Sequence, residues 1–161
     1  MKIMGIDPSI NHTGWGCIDT SNEEPVHVES GVILPDLRGG NYRYGEIAGE
    51  FHNHIIGICA PDLCVVEWPT FEDSPRGRNL ARKGFNKLCA VAGGCVAVAA
   101  VHGIPYALIT AWQWKGKYPK PLIKARVEEL FGERDWARED EWESLGLALW
   151  AFKHKGDYDE Y

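Results

Sequence analysis

Several features that indicate membrane, secreted or zinc proteins are missing from this sequence. We find no apolar run that we expect to span a membrane, and the N-terminus lacks the charged and apolar segments of a signal peptide. The five cysteines form no C-x-x-C pair and have no zinc-ligand spacing. We therefore expect a cytoplasmic protein without a membrane partner, whose cysteines are buried free thiols.

Acidic residues are absent from residues 76–126, although this region contains ten lysines and arginines. The flanking regions have the opposite balance, with net charges of −9 over residues 1–75 and −7 over residues 127–161. The overall charge of −6 alone argues against a nucleic-acid partner. A concentrated basic region is nevertheless typical of phosphate contact, so we favour DNA or RNA over a merely solvated basic face.

Hydrophobic periodicity predicts an α/β fold. Strands are predicted at residues 2–7, 13–18, 26–34, 62–66 and 105–109. Helices are predicted at residues 42–59, 79–102, 120–131 and 139–153. Short connections favour antiparallel pairing of the first three strands, which gives a five-stranded mixed sheet of three antiparallel plus two parallel strands, flanked by helices. We expect a single domain over residues 1–155 and a frayed acidic tail at residues 156–161.

The second half of the long helix, around residues 88–101, is apolar nearly all round and rich in small side chains. Such a helix is buried on more than one face. It is therefore expected either to cross the centre of the core or to pack against a partner subunit.

Four acids stand where the predicted elements could bring them together. Asp7 ends the first strand and Glu67 ends the fourth, while Asp140 and Glu143 share one face at the start of the last helix. Clustered carboxylates repel one another and need a cation, and oxygen ligands suit Mg²⁺ or Mn²⁺. Two such ions about 4 Å apart can clamp the attacking and leaving oxygens in phosphodiester cleavage.

Each acid also has an ordinary structural explanation. Asp7 could satisfy the turn at residues 8–12, and Glu67 could pair with an arginine of the basic region. Asp140 could be a helix N-cap, and Glu143 could be a first-turn acid beside the helix dipole.

The motifs of this sequence resemble those of the RuvC-type Holliday junction resolvases, in the RNase H-like nuclease superfamily. That family opens with G-I-D-P-x-x-x-x-T-G-x-G, and here residues 5–8 read GIDP and residues 13–16 read TGWG. Its second acid ends an apolar strand after P-D, as at residues 61–67. Its final helix carries D-x-x-D-A-L-A-L-A, and here residues 140–148 read DEWESLGLA.

The resemblance implies an RNase H-like nuclease domain over residues 1–155. It also implies a homodimer, formed through the helix around residues 88–101, that binds a four-way DNA junction and nicks opposed strands symmetrically with divalent metal. Asp7, Glu67, Asp140 and Glu143 would be the metal ligands. Glu143 stands where aspartate is usual and Gly146 where alanine is usual, which is similar to divergent phage members; a phage protein would act in the host cytoplasm.

Two lysines match the resolvase pattern. Lys115 stands in AWQWK, similar to the family's A-x-x-V-K, and Lys120 aligns with the lysine that opens the next helix. The resemblance gives both a role at the scissile phosphate, whereas a surface lysine is the ordinary alternative. Phe71, in the loop after Glu67, matches the position of an aromatic junction wedge, or it anchors the loop against the protein. The predicted DNA face is Arg76, Arg78, Arg82, Lys83, Lys87, Lys115, Lys117, Lys120 and Lys124.

Three other functions remain open at this point. The same acids would serve a broader debranching nuclease that acts on flaps and forks. A non-catalytic junction-binding protein is a second alternative, although four intact carboxylates argue against it. Actin-like sugar kinases and ATPases also open with strand-Asp-turn-Gly, but they normally need two such domains.

Overall fold

The structure is a computed structural model that describes residues 1–36, 40, 42–70, 78–116, 119–156 and 158, without the side chains of residues 78–83. Its centre is a five-stranded sheet in the order β3-β2-β1-β4-β5. The strands are β1 (Lys2–Asp7), β2 (Thr13–Asp19), β3 (Val26–Ile33), β4 (Leu63–Trp68) and β5 (Tyr106–Thr110). The pairs β1–β2 and β2–β3 are antiparallel, while β1–β4 and β4–β5 are parallel, which confirms the predicted mixed sheet.

The helices agree with the sequence prediction except at one position. They are α1 (Arg43–Glu50), a π-helical segment (Phe51–Ile56), α2 (Gly57–Cys59), α3 (Arg78–Val101), α4 (Ala111–Lys115), α5 (Lys120–Phe131) and α6 (Glu139–Lys153). The sequence prediction missed α4, because one helical turn is too short to show a hydrophobic period. A capping box between Thr110 and Gln113 starts this helix directly after β5.

The sheet separates two hydrophobic layers, as strand alternation dictates. Met4 and Ile6 of β1 face the layer that contains α1, the π-helical segment and α3. Ile3 faces the opposite layer, which contains α4, α5 and α6. Asp7 is two residues beyond Gly5 and four beyond Ile3, so the final side chain of β1 belongs to the α6 side of the sheet.

Glycines let α6 lie almost directly on the sheet. A Cβ on Gly5 would lie 2.0 Å from the carbonyl oxygen of Ser144, and one on Gly14 would lie 2.1 Å from that of Asp140. A Cβ on Gly16 would lie 2.6 Å from Leu145 Cγ. The glycines of the opening motif therefore have a packing reason: no side chain larger than hydrogen fits between these strands and α6.

Helix α3 is only partly covered by the chain. Val91, Ala92, Cys95 and Ala99 are buried in the core, whereas Val101 is 80% exposed. The window Gly84–Val101 is long and apolar enough to cross a bilayer by length and composition alone, which the sequence analysis did not anticipate, and 22% of it is buried. A helix that packs against a core or a partner subunit has the same composition.

The cysteine prediction is confirmed. All five cysteines are free, and every one except Cys89 is buried. Burial raises the pKa of Cys64 and of Cys95 to about 12, so both are uncharged thiols of the core.

Candidate active site

The ends of two neighbouring parallel strands place the first two acids side by side. Strand β1 pairs with β4 in the register Ile6↔Val66, so Asp7 and Glu67 follow at the same edge of the sheet. The start of α6, which packs against Gly14, brings Asp140 and, one turn later, Glu143 to this edge. Glu143 is the most buried of the four, with 1% of its surface exposed.

The pKa of Asp7 is sensitive to burial and to the other three acids. Burial raises the pKa of Asp7 well above its ordinary range, and the negative charges of Glu67, Glu143 and Asp140 raise it further, while Lys115 opposes them. No described residue donates a side-chain hydrogen bond to this carboxylate. The four acids singled out from the sequence therefore lie near one another at this edge of the sheet.

Two lysines hold the buried glutamate. Lys115 Nζ lies 2.5 Å from Glu143 Oε2 and 3.0 Å from Glu67 Oε2. Lys120 Nζ lies 2.5 Å from Glu143 Oε1 and 3.2 Å from Glu139 Oε1. Although burial opposes it, the neighbouring carboxylates raise the pKa of Lys115 and of Lys120, so both ammonium groups stay charged.

The ordinary explanations offered for the acids do not describe their contacts. The turn at residues 8–12 is satisfied by Thr13, whose hydroxyl donates to the Ser9 carbonyl at 2.8 Å. Glu67 contacts a lysine and a tryptophan rather than an arginine in the described part of the chain. The N-cap position of α6 is Arg138, and Asp140 lies inside the first turn.

Sequence reasoning missed two residues of this site. His12 Nδ1 lies 2.8 Å from Asp140 Oδ2, an ion pair when the imidazole is protonated. The indole Nε1 of Trp114 donates a 2.7 Å hydrogen bond to Glu67 Oε2. His12 could have been suspected from its place between the two opening glycine motifs. Trp114 carried no signal, because the turn of α4 that directs it inward was not predicted.

The four acids have the donor chemistry of a site for a hard divalent cation, and the cation would have to displace the lysine contacts. Within the described residues, no three histidine, cysteine or acidic side chains are grouped closely enough to hold a metal ion, and Lys115 bridges two of the acids. However, all four acids offer only oxygen donors, and burial together with the neighbouring carboxylates raises the pKa of Asp7, which a bound cation would oppose. Oxygen donors of this kind suit Mg²⁺ or Mn²⁺ rather than zinc.

The predicted DNA face is only partly visible. Phe71, Arg76 and Lys117 lie outside the described residues, as do the side chains of Arg78, Arg82 and Lys83. Lys87 is exposed on α3, and Lys124 on α5 pairs with Glu128 at 3.4 Å. Of the members of this set whose side chains are described, Lys115 and Lys120 lie at the carboxylates.

Solved structures share this fold. "T. thermophilus RuvC in complex with Holliday junction substrate" superposes with a TM-score of 0.81 at 19% identity, and each chain covers 100% of the other. The yeast mitochondrial Holliday junction resolvase Ydc2 matches with a TM-score of 0.61 at 11% identity, over 96% of this chain and 83% of that one. The chain therefore has the α/β fold of the RuvC structures, with its carboxylates at the edge where β1 and β4 end.

Curated relatives identify the family to which the chain belongs. The crossover junction endodeoxyribonuclease RuvC of Hyphomonas neptunium is 32% identical over 162 residues, which cover 96% of this chain and 92% of the relative. The protein of the same name from Paramagnetospirillum magneticum is 29% identical, over 97% of this chain and 93% of the relative. No family model matches the chain. The chain belongs to the RuvC crossover junction endodeoxyribonuclease family.

Proposed function

We propose that this protein is a structure-selective DNA endonuclease that resolves four-way junctions by nicking two opposed strands symmetrically. Family membership supports the activity, and the convergence of Asp7, Glu67, Asp140 and Glu143 at one sheet edge is the observation that carries it. The action on DNA is consistent with a cytoplasmic protein. A phage member of the family, acting in the host cytoplasm, would account for Glu143 in place of aspartate.

The four carboxylates would hold Mg²⁺ or Mn²⁺, and we propose that each site holds two ions. Bound divalent metal supplies Lewis-acid stabilisation of the phosphate and lowers the pKa of water for in-line attack. The sheet edge fixes Asp7 and Glu67, and the glycine-packed start of α6 fixes Asp140 and Glu143 beside them. The products would be a 5′-phosphate and a 3′-hydroxyl.

Lys115 and Lys120 have the position and the charge to act at the scissile phosphate. Without DNA their ammonium groups neutralise Glu143 and Glu67, which limits the repulsion within the acid cluster. When phosphate and cation enter, the same groups can turn to phosphate oxygens and stabilise charge that develops in the transition state. Phe71 as a junction wedge and the arginines of residues 76–82 as phosphate contacts remain part of this proposal.

Nicking of a labelled synthetic four-way junction in Mg²⁺ or Mn²⁺ tests the function. We expect paired nicks at symmetric positions on opposed strands and no cleavage of a linear duplex of the same sequence. Equal cleavage of flaps and forks would instead support a debranching nuclease. Junction binding without cleavage in any metal would support the binding-protein alternative.

We also propose that α3 forms a homodimer interface with a second copy of the chain. The helix is apolar, its core-facing side is occupied, and Ala90, Ala97 and Val101 remain exposed on its other side. A second copy would bury this surface, and a two-fold dimer would present two equivalent sites to a nearly two-fold junction.

Ala97→Glu is expected to produce a monomer. The substitution places one unpaired charge per subunit in a two-fold interface, which weakens association by about 3 kcal/mol or more. Ala97 is exposed in the single chain, whereas Val98 packs against the core, so a change at Ala97 tests the interface without testing the fold.

Mass measurement by light scattering checks this expectation. Ala125→Glu, at an exposed alanine of α5, is the matched control and should remain a dimer. An Ala97→Glu protein that is as dimeric as wild type would move the interface away from α3.

A further inference from the structure

The short helix α4 directs two tryptophans to opposite sides. Its capping box is complete: the Thr110 hydroxyl accepts from the Gln113 backbone N–H at 3.3 Å, and Gln113 Oε1 accepts from the Thr110 backbone N–H at 2.8 Å. This box fixes the start of the helix directly after β5. As a result Trp112 is 79% exposed, whereas Trp114 is 4% exposed and lies in the core beneath the active site.

Trp114 and its neighbour hold the same oxygen of Glu67. The indole N–H of Trp114 donates to Glu67 Oε2 at 2.7 Å, and Lys115 Nζ lies 3.0 Å from that oxygen. The two donors differ in kind. The lysine has a flexible stem and a charge that phosphate can attract, whereas the buried indole has two side-chain torsions and cannot leave without opening the core.

The ring of Trp114 also explains why residue 146 is glycine. A Cβ on Gly146 would lie 3.3 Å from Trp114 Cζ3 and 2.7 Å from Ile123 Cγ2. The indole and the isoleucine together fill the space that an alanine methyl would need. Gly146 therefore departs from the alanine of the related motif because the chain places both Ile123 and the Trp114 ring against α6 at this position.

We propose that Trp114 is a positioning residue that orients the Glu67 carboxylate for a divalent cation, and that Gly146 provides the space for its ring. The proposal rests on the proposed function, since it requires Glu67 to be a metal ligand. The indole donor keeps Oε2 in place when Lys115 turns towards phosphate. A hydrogen bond from a neighbouring donor to a ligating carboxylate acts in this way at metal sites in general.

Trp114→Phe tests the donor, because it keeps an aromatic ring in the core and removes only the N–H and part of the ring. We expect Mn²⁺ binding, measured by titration calorimetry on the full chain without DNA, to weaken about 10- to 100-fold. Trp136→Phe is the matched control. It removes a similar indole bond, from Trp136 Nε1 to Glu128 Oε1 at 2.9 Å, at a carboxylate outside the site. This control should keep wild-type Mn²⁺ affinity.

Gly146→Ala tests whether residue 146 must be glycine to leave room for the Trp114 ring. In the wild-type background we expect it to weaken Mn²⁺ binding by displacing the indole ring. In a Trp114→Val background, where the ring is gone, the added methyl group should have a much smaller effect. Melting temperatures of all variants show that each chain is folded at the temperature of the titration.

The outcomes separate this inference from the proposed function. If wild type binds Mn²⁺ and nicks junctions while Trp114→Phe binds Mn²⁺ equally well, the positioning role is refuted and the function stands. Equal effects of Gly146→Ala in both backgrounds would likewise refute the coupling of residues 114 and 146. If wild type neither binds Mn²⁺ nor nicks any junction, the function and the inference both fail.

Discussion

Asp7→Asn is expected to abolish junction cleavage and at the same time to raise the melting temperature of the metal-free protein. The asparagine cannot supply the negative charge that a divalent cation needs, and metal-ion catalysis contributes several kcal/mol, so the rate should fall about 10³-fold or more. Binding of the junction should persist, because Asp7 is a carboxylate and contributes no attraction to phosphate. Loss of activity with retained binding separates the chemical step from recognition.

The gain in stability follows from the raised pKa of Asp7. An acid whose pKa is higher in the folded state than in the unfolded state destabilises the fold at pH values above the unfolded value, about 3.9 for aspartate. Asparagine carries no charge to bury, so the variant should melt higher at pH 7 in the presence of a chelator. Each kcal/mol corresponds to about 2–4 °C for a chain of this size.

The pH dependence gives this prediction a second check. As the pH falls towards about 4, the wild-type carboxylate becomes protonated, and the difference in melting temperature between wild type and Asp7→Asn should shrink. Asp135→Asn, at an exposed acid in the loop before α6, is the matched control and should change neither activity nor stability. An Asp7→Asn protein that melts below wild type at pH 7 would show that Asp7 serves the fold and not a cation.

Gly5→Ala is expected to destabilise the fold strongly, because the added methyl group would meet the backbone of α6. Its Cβ would lie 2.0 Å from the Ser144 carbonyl oxygen and 2.9 Å from the Ala148 backbone nitrogen. Backbone atoms cannot change rotamer, so α6 must move away from β1 as a whole. We expect the free energy of unfolding to fall by about 3 kcal/mol, at the upper end of what overpacking usually does.

A Gly→Ala substitution in α1 should instead raise the free energy of unfolding. Gly49 lies inside the continuous helical run that begins at Arg43, and nothing is within 4 Å of its added Cβ. Gly49→Ala should therefore stabilise the chain by up to about 1 kcal/mol through helix propensity. Denaturant unfolding of both variants measures the contrast. A Gly5→Ala chain as stable as wild type would mean that α6 is not seated on β1 as described.

A displacement of α6 should also change the positions of the acids in the active site. Asp140 lies in the first turn of α6 and Glu143 follows one turn later on the same face, where both lysines contact it. A shift of the helix moves both acids relative to Asp7, which stays on the sheet. Gly5→Ala protein that remains folded at low temperature should therefore nick junctions more slowly than wild type, although Gly5 lies within the sheet.

The sequence was most informative where a repeating pattern was long enough to read. Two helices, α5 and α6, begin and end where periodicity predicts, and β1 does as well. The alternation of β1 and the apolar run before Glu67 also located two acids at strand ends. The sequence pattern could not reveal α4, because a helix of five residues shows no hydrophobic period. The hydrogen bond from the Trp114 indole to Glu67 was therefore missed as well.

The sequence by itself determined the order of the strands and of the longer helices, the identity of the acidic residues and the basic region without a carboxylate. These follow from local patterns, since strand and helix periods act over a few residues. Only the tertiary structure decided that Lys115 bridges Glu67 and Glu143, that Trp114 holds Glu67, and that His12 reaches Asp140. These contacts join residues that are 28 to 128 positions apart, and those of Asp140 and Glu143 depend on the glycines that let α6 lie close to the sheet. No local pattern specifies such a close approach, because its energy comes from packing between distant segments.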